Sequence, residues 1–140
     1  LSVAIDLSNL AEVLMAQNQF AAARETLDEA LALVEETGPV GLHGSMLGVQ
    51  ADLLIREGDL RGAIERLRRA EELLRKGERR RNELAKVLAR KGHALLQAGD
   101  LAGANAAWRE AAGIVDAEAA GPDSEIWRVT ADLGAALRGR

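Results

Sequence analysis

The sequence predicts an all-α fold in which three helix-turn-helix hairpins stack into a solenoid and one further helix follows. Three observations support this fold class. Ala and Leu are the commonest of the 140 residues, aromatic residues make up only 2%, and an apolar pattern recurs three times along the chain. Ala and Leu are strong helix formers, whereas sheets rely on aromatic and β-branched cross-strand pairs. The composition therefore argues against a β-rich fold.

The recurring pattern is built around the segments QNQFAAA at 17–23, REGDLRGA at 56–63 and QAGDLAGA at 97–104. Their Phe or Leu anchors, Phe20, Leu60 and Leu101, lie 40 and 41 residues apart. Six further positions agree in residue type in all three copies; in the first copy they are Leu7, Ala11, Leu14, Ala23, Leu27 and Ala30. A repeat of this length indicates supersecondary units that stack on one another.

Each copy has the pattern of a helical hairpin, with apolar residues at i, i+3, i+4 and i+7 on both halves. Between the halves stand Gly58–Asp59 in the second copy, Gly99–Asp100 in the third and Asn18 in the first. Gly and Asn adopt the left-handed conformation that ends a helix, and Asp caps the start of the next one. Small residues at 11, 51 and 92 and at 23, 63 and 104 are expected to let the paired helices approach closely.

The pattern places helices at about 2–17, 20–37, 42–57, 60–76, 80–98, 101–118 and 123–138 in one domain over 1–140. The three repeats cover about 4–37, 44–77 and 85–118. Gly38–Pro39 and Gly121–Pro122 break the chain between units, and Asp123 or Ser124 can cap the last helix. That helix is either a cap on the stack or the first helix of a fourth copy. Because the first residue is Leu1 rather than Met, we expect a piece of a longer protein.

The pattern resembles the tetratricopeptide repeat, which has a large residue, Leu followed by Gly or Ala, and a large residue on its first helix, and Ala, an aromatic and Ala on its second. The third copy matches these slots with Leu88, Gly92, Leu95, Ala104, Trp108 and Ala111. Three features depart from the family pattern. The Leu that precedes the small residue of the first helix is replaced by Gln50 in the second copy and by Lys91 in the third. The Pro that closes the family's repeat is missing, and the period of 40 and 41 residues exceeds the family's usual ~34. The resemblance implies a right-handed superhelix. The longer variant is similar to repeats of bacterial signalling proteins, among them transcriptional regulators and sensors linked to ATPases.

The resemblance further implies a non-catalytic protein–protein interaction scaffold that presents a concave groove to a peptide or helix. By register, the groove residues are Ser8, Glu12, Met15, Ser45, Asp52, Ile55, Arg56, Lys86, His93, Leu96 and Gln97. The family's best-known groove binds a C-terminal carboxylate through Lys and Asn, but Glu12 and Asp52 would repel a carboxylate. A basic or amphipathic peptide fits better. Two alternatives stay open: these residues pack against neighbouring hairpins, or the segment senses a small ligand or inducer for a bacterial regulator.

No motif in the sequence points to catalysis or to a bound cofactor. There is no Cys, no G-x-S-x-G elbow and no phosphate loop, and His43 and His93 lack a partner at metal-binding spacing. Glu12, Asp52 and His93 share one register position and could line one groove, although solvated side chains are the simpler interpretation. We therefore expect no enzyme activity, cofactor or metal.

Charge is concentrated in residues 56–91, which hold 13 of the 18 basic residues and 7 acidic ones. The simplest interpretation is a solvated face with Glu65–Arg69 and Glu72–Lys76 pairs; the alternative is a patch for an acidic protein. Nucleic acid is disfavoured because no aromatic residue lies in the block to stack a base. No apolar run reaches the ~18 residues of a membrane span, so we expect a cytoplasmic location. An end-to-end homodimer is an open alternative.

Overall fold

A computed structural model describes residues 2–76 and 81–139, which form seven α-helices. The helices are α1 (Ser2–Ala16), α2 (Phe20–Thr37), α3 (Val40–Arg56), α4 (Leu60–Arg75), α5 (Arg81–Gln97), α6 (Leu101–Ala117) and α7 (Glu125–Arg138). Their ends lie within two residues of the predicted ones. The largest differences are at α3, which begins directly after Pro39 because Gly41 is buried inside its first turn, and at α7, which begins after its cap Ser124. Residues 77–80, which include the predicted gap between the fourth and fifth helices and the predicted first residue of the fifth, lie outside the described residues.

The turns inside the hairpins have the predicted chemistry. The backbone is left-handed at Asn18 (φ 62°), Gly58 (φ 86°) and Gly99 (φ 86°). At the next helix start, a carboxylate oxygen of Asp59 accepts from the Gly62 amide at 2.9 Å, and Asp100 accepts from the Gly103 amide at 2.8 Å. These contacts satisfy amides that have no partner within the helix, so they fix where α4 and α6 begin.

The helices form two rows. The first helices of the hairpins, α1, α3 and α5, contact one another in sequence, and α7 extends this row. The second helices, α2, α4 and α6, pack on their own partner and on the following first helix, but in the described parts of the chain their backbones do not contact each other. Helices in contact belong to the inner side of a curved stack, and helices that splay apart belong to the outer side. This arrangement confirms the predicted all-α solenoid of three hairpins plus a C-terminal helix.

The small residues at the predicted positions are buried in the core. The solvent does not reach the five alanines at these positions, which are Ala11, Ala23, Ala51, Ala63 and Ala104. Gly92 lies against α7, where a β-carbon on it would come within 2.4 Å of the Leu133 side chain. The indole of Trp108 covers Gly134 in the same way. α7 therefore packs closely against the third hairpin at two glycines, Gly92 and Gly134.

One face of α1 is apolar and exposed. Val3, Leu10 and Val13 are 62%, 47% and 52% exposed. The register equivalents of Val3 and Val13 on α5, Leu84 and Ala94, are buried, and α5, unlike α1, packs against the second helix of a preceding hairpin, α4. Within the described residues, no second helix covers this face of α1. None of the described helices combines the length and the apolar character that a membrane crossing requires.

Candidate peptide groove on the first helices

A cavity of about 340 Å³ lies between α1 and α3, in the row of first helices. Its lining residues are Glu12, Met15, Ala16, Val49, Asp52, Ile55 and Arg56. Residues three and four apart share one face of a helix, and α1 contacts α3, so this grouping follows from the repeat register. The structure thus brings together five of the predicted groove residues, and they combine an apolar floor with charged edges.

Asp52 has a cationic neighbour that the sequence did not reveal. Its carboxylate lies 3.4 Å from the Arg90 guanidinium of α5. Burial raises the pKa of Asp52, and the charges of Arg90 and Arg56 only partly oppose that increase. Arg90 reaches this position over Gly48, where a β-carbon would come within 2.6 Å of its guanidinium nitrogen. The sequence offered one indication of this contact, because Arg90 lies four residues after the predicted groove residue Lys86 and so shares its face of the helix.

The other charged residues at the cavity differ in how they are held. The Arg56 guanidinium lies over the Phe20 ring, 5.6 Å from its centroid, which is within cation–π range. Glu12 makes no ion pair with any residue that the structure describes. Since Arg90 partly neutralises Asp52, Glu12 is the acid at this cavity that is available to a partner.

Three predicted groove residues hold the stack together. Ser8 is buried in α1. Ser45 Oγ donates a 2.8 Å hydrogen bond to Glu83 Oε2 and so joins α3 to α5. Lys86 Nζ lies 3.2 Å from Glu83 and 3.4 Å from Glu125, between α5 and α7. For these residues the packing interpretation describes the contacts better than ligand binding does.

The remaining predicted residues lie on α5, away from the cavity. His93 and Leu96 are half-buried, Gln97 is exposed, and none of the three lines the cavity that contains Glu12 and Asp52. Among residues 2–76 and 81–139, no group of three His, Asp or Glu side chains could hold a metal ion.

The ion pairs of the basic segment differ from the prediction. Arg69 lies 3.5 Å from Glu72, and among the described residues neither the expected Glu65–Arg69 pair nor the expected Glu72–Lys76 pair is formed. Arg75 donates two hydrogen bonds to Glu110 of α6, at 2.6 and 2.7 Å, and also bonds Glu71. Helical spacing identified which pairs could form within α4, but it did not reveal the contact that Arg75 makes with Glu110 of the next hairpin. Arg79 and Arg80 of the predicted block lie outside the described residues.

Helical hairpins that stack in sequence, with their first helices in one row, define a helical-repeat domain. The family model described as "Tetratricopeptide repeat" matches residues 3–76, and the chain belongs to this family. The N-terminal domain of stress-induced protein-1 (STI-1) from C. elegans has a similar structure, with a TM-score of 0.61 and 95% of each chain covered. At 18% sequence identity this similarity shows the fold alone. No curated protein matches the chain.

Proposed function

We propose that this domain is a non-catalytic protein–protein interaction module whose first-helix groove binds a peptide or an amphipathic helix. Tetratricopeptide repeats generally mediate protein–protein interaction. The observation that carries the proposal is the cavity between α1 and α3, where apolar and charged side chains converge at a contact between two repeats. A second helix of this chain could not fill it, because α2 and α4 lie on the other side of the row.

The lining residues favour a particular partner chemistry. Met15, Val49 and Ile55 supply an apolar floor, and a thioether can adapt to different side chains. Glu12 stands at the edge without an ion-pair partner among the described residues. A peptide that places an apolar side chain on the floor and a Lys or Arg beside Glu12 would satisfy both features. The guanidinium groups of Arg56 and Arg90 discriminate against a partner that is basic throughout.

A small-ligand sensor is the competing function. A sensor would enclose its ligand in a mainly apolar cavity within the curve of the superhelix. The cavity between α1 and α3 is instead open, with Glu12 and Arg56 exposed at its edge. In this groove, the openness together with the apolar floor suits a peptide rather than an enclosed inducer.

The test uses peptides selected from a random displayed library against the whole domain. Binding of a selected peptide is then measured for a Glu12→Lys, Asp52→Lys double variant. We expect at least about tenfold weaker binding, since a charge-assisted contact is replaced by repulsion. The control is Glu29→Lys with Glu65→Lys, which changes the net charge equally at exposed positions of α2 and α4. Equal losses in the two variants, or no loss with unchanged helicity, would contradict the groove assignment.

A further inference from the structure

The largest cavity among those described lies on the outer side of the stack, between α2 and α4 and above α3. Its volume is about 510 Å³, within the range of small-molecule sites. The lining residues are Asp28, Leu31, Ala32 and Glu35 of α2, His43, Leu47 and Gln50 of α3, and Arg66 and Arg69 of α4. We call this space the first outer cleft. It shares no residue with the groove between α1 and α3.

The two walls of the first outer cleft carry opposite charge. Asp28 and Glu35 make the α2 wall acidic, while Arg66 and Arg69 make the α4 wall basic. The floor is apolar at Leu31 and Leu47, each only 6% exposed. A ligand in this cleft therefore meets an anionic side, a cationic side and an apolar base.

The floor also contains an acceptor without a donor. Gln50 Oε1 is buried and has no hydrogen-bond partner among residues 2–76 and 81–139. Leaving such a group unsatisfied costs about 1–3 kcal/mol, so buried polar atoms are rarely left this way. Gln50 lines the cleft, so a small turn of its side chain would present this acceptor to an N–H or O–H group of a ligand there.

In the equivalent space between α4 and α6, which we call the second outer cleft, ion pairs of the protein itself run from wall to wall. In the repeat register Leu31, Glu35, Gln50 and Arg69 correspond to Glu71, Arg75, Lys91 and Glu110. In this second cleft the Lys91 ammonium bonds Glu71 above the floor. Arg75 then bridges the walls through two hydrogen bonds to Glu110, at 2.6 and 2.7 Å.

The first outer cleft has the wall charges for such a bridge but lacks the bridge. Glu35 and Arg69 occupy the positions of Arg75 and Glu110 with the signs reversed, and no ion pair joins them in the described structure. Arg69 instead lies 3.5 Å from Glu72, while the imidazole Nε2 of His43 lies 4.0 Å from Glu35 Oε1. The second cleft has a cation, Lys91, at the position that Gln50 occupies in the first cleft, and it has a bridge between its walls. Among the described residues, the first cleft has neither of these.

We propose that the first outer cleft binds a small zwitterion, of the amino-acid or short-peptide class. Its ammonium group faces Asp28 and Glu35 and donates to Gln50 Oε1. Its carboxylate faces Arg66 and Arg69, and an apolar side chain rests on Leu31 and Leu47. The ligand thus supplies the cation and the cross-cleft bridge that Lys91, Arg75 and Glu110 supply in the second cleft. This proposal is independent of peptide binding in the groove.

The two histidines make the test specific. His43 lines the cleft and His93 does not, and the chain has no other histidine. We use the dipeptide leucylleucine as the probe and follow both imidazole signals by proton NMR at constant pH. A saturable shift of the His43 signals with His93 unchanged is expected. The N-acetylated and the C-amidated dipeptides should each bind at least about tenfold more weakly, because each lacks one charge.

Variants locate the contact. Arg69→Ala should weaken leucylleucine binding about tenfold or more, and Gln50→Leu should weaken it by removing the acceptor. Arg68→Ala is the matched control, since Arg68 is an exposed neighbour on α4 that does not line the cleft. Absence of a His43 shift in the intact domain, equal shifts at both histidines, equal binding of the blocked dipeptides, or equal effects of the Arg68 and Arg69 variants would each overturn the proposal.

Discussion

The two outer clefts are built on the same backbone but have different interiors. In the second cleft, between α4 and α6, Lys91, Glu71, Arg75 and Glu110 form a continuous network of ion pairs. In the first cleft, between α2 and α4, the equivalent residues form no such network, and a volume of about 510 Å³ stays open. We call the region where two successive hairpins meet, at α2 and α4 or at α4 and α6, a joint. The residue types at equivalent positions of the repeats therefore determine whether a joint is closed by ion pairs or left open to a ligand.

The comparison separates stability from binding within one repeat array. Side chains that pair with each other across a joint stabilise the contact between the hairpins. An acceptor without a donor and charged walls without a bridge can instead pair with groups of a ligand. A repeat architecture can vary these positions while its buried alanines keep the hairpins together. Mutations at the second joint should accordingly change the free energy of unfolding most, and ligand binding should be seen at the first joint.

Breaking the closed joint should have the largest effect. Glu71→Leu, which introduces the residue type of the first cleft, leaves the partly buried ammonium of Lys91 without its partner. We expect the free energy of unfolding to fall by about 1–3 kcal/mol, measured by urea denaturation. The control is Glu72→Leu, an adjacent residue whose side chain is 67% exposed, for which we expect a change below about 0.5 kcal/mol.

Removing both partners sharpens the same comparison. Combining Glu71→Leu with Lys91→Gln converts the centre of the second cleft to the residue types of the first. We expect much of the lost stability to return, because an uncompensated cation costs more than the absence of the whole pair. Losses that simply add in the double variant would show that Glu71 and Lys91 do not act as a unit.

Acid should weaken the closed joint through Glu71. Burial alone would raise the pKa of Glu71, but hydrogen bonds and charge from Lys91 and Arg75 outweigh burial and lower it. The stability that Glu71 contributes is therefore present above its unfolded pKa, about 4.3, and is lost as pH falls through the lower folded value. Unfolding measured between pH 7 and pH 3 should show a smaller acid loss for Glu71→Gln than for the parent protein. Identical pH profiles would contradict the role of Glu71.

Asp52 should show the opposite sign. Because burial raises its folded pKa above the unfolded value, its contribution to stability is present at low pH and is lost as pH rises through the folded pKa. Asp52→Asn should therefore be neutral or stabilising at pH 7, with the difference vanishing in acid. A clear loss of stability at pH 7, measured by thermal unfolding, would show that the Arg90 pair dominates over burial.

Transplanting the closed joint should have the smallest effect on stability. The quadruple variant Leu31→Glu, Glu35→Arg, Gln50→Lys and Arg69→Glu places the network of the second cleft in the first. We expect a gain of no more than about 1 kcal/mol, since the new pairs are partly exposed. The same variant should lose the leucylleucine-dependent shift of His43. Retained binding with an intact fold would show that the cleft walls do not make the contact.

The sequence predicted most of the fold because the rules involved are local. Helix periodicity, the left-handed turns at Gly58 and Gly99 and the caps at Asp59 and Asp100 all depend on residues within one turn of each other. The buried alanines followed from the repeat register. The one left-handed turn that local rules missed is at Ala119 (φ 52°), where no Gly or Asn marks the position.

The sites were less predictable because they depend on reach between hairpins. Register placed Glu12, Asp52 and Ile55 on one surface, but it could not show that Arg90 extends over Gly48 to Asp52. Nor could it show that Arg75 reaches Glu110, 35 residues further along the chain. The partner of a long side chain depends on distance and burial in the folded chain. Equivalent positions of the repeat therefore form a network of ion pairs in one cleft and leave the other open.

The most direct test of the proposed function compares the inner and outer sides of the stack in one measurement. Backbone amide NMR signals of the whole domain are followed during titration with a peptide selected from a random library. The groove assignment predicts saturable shifts concentrated on α1 and α3, around Glu12, Val49 and Ile55. A footprint confined to α2, α4 and α6 would contradict the assignment of the first-helix groove as the peptide-binding surface.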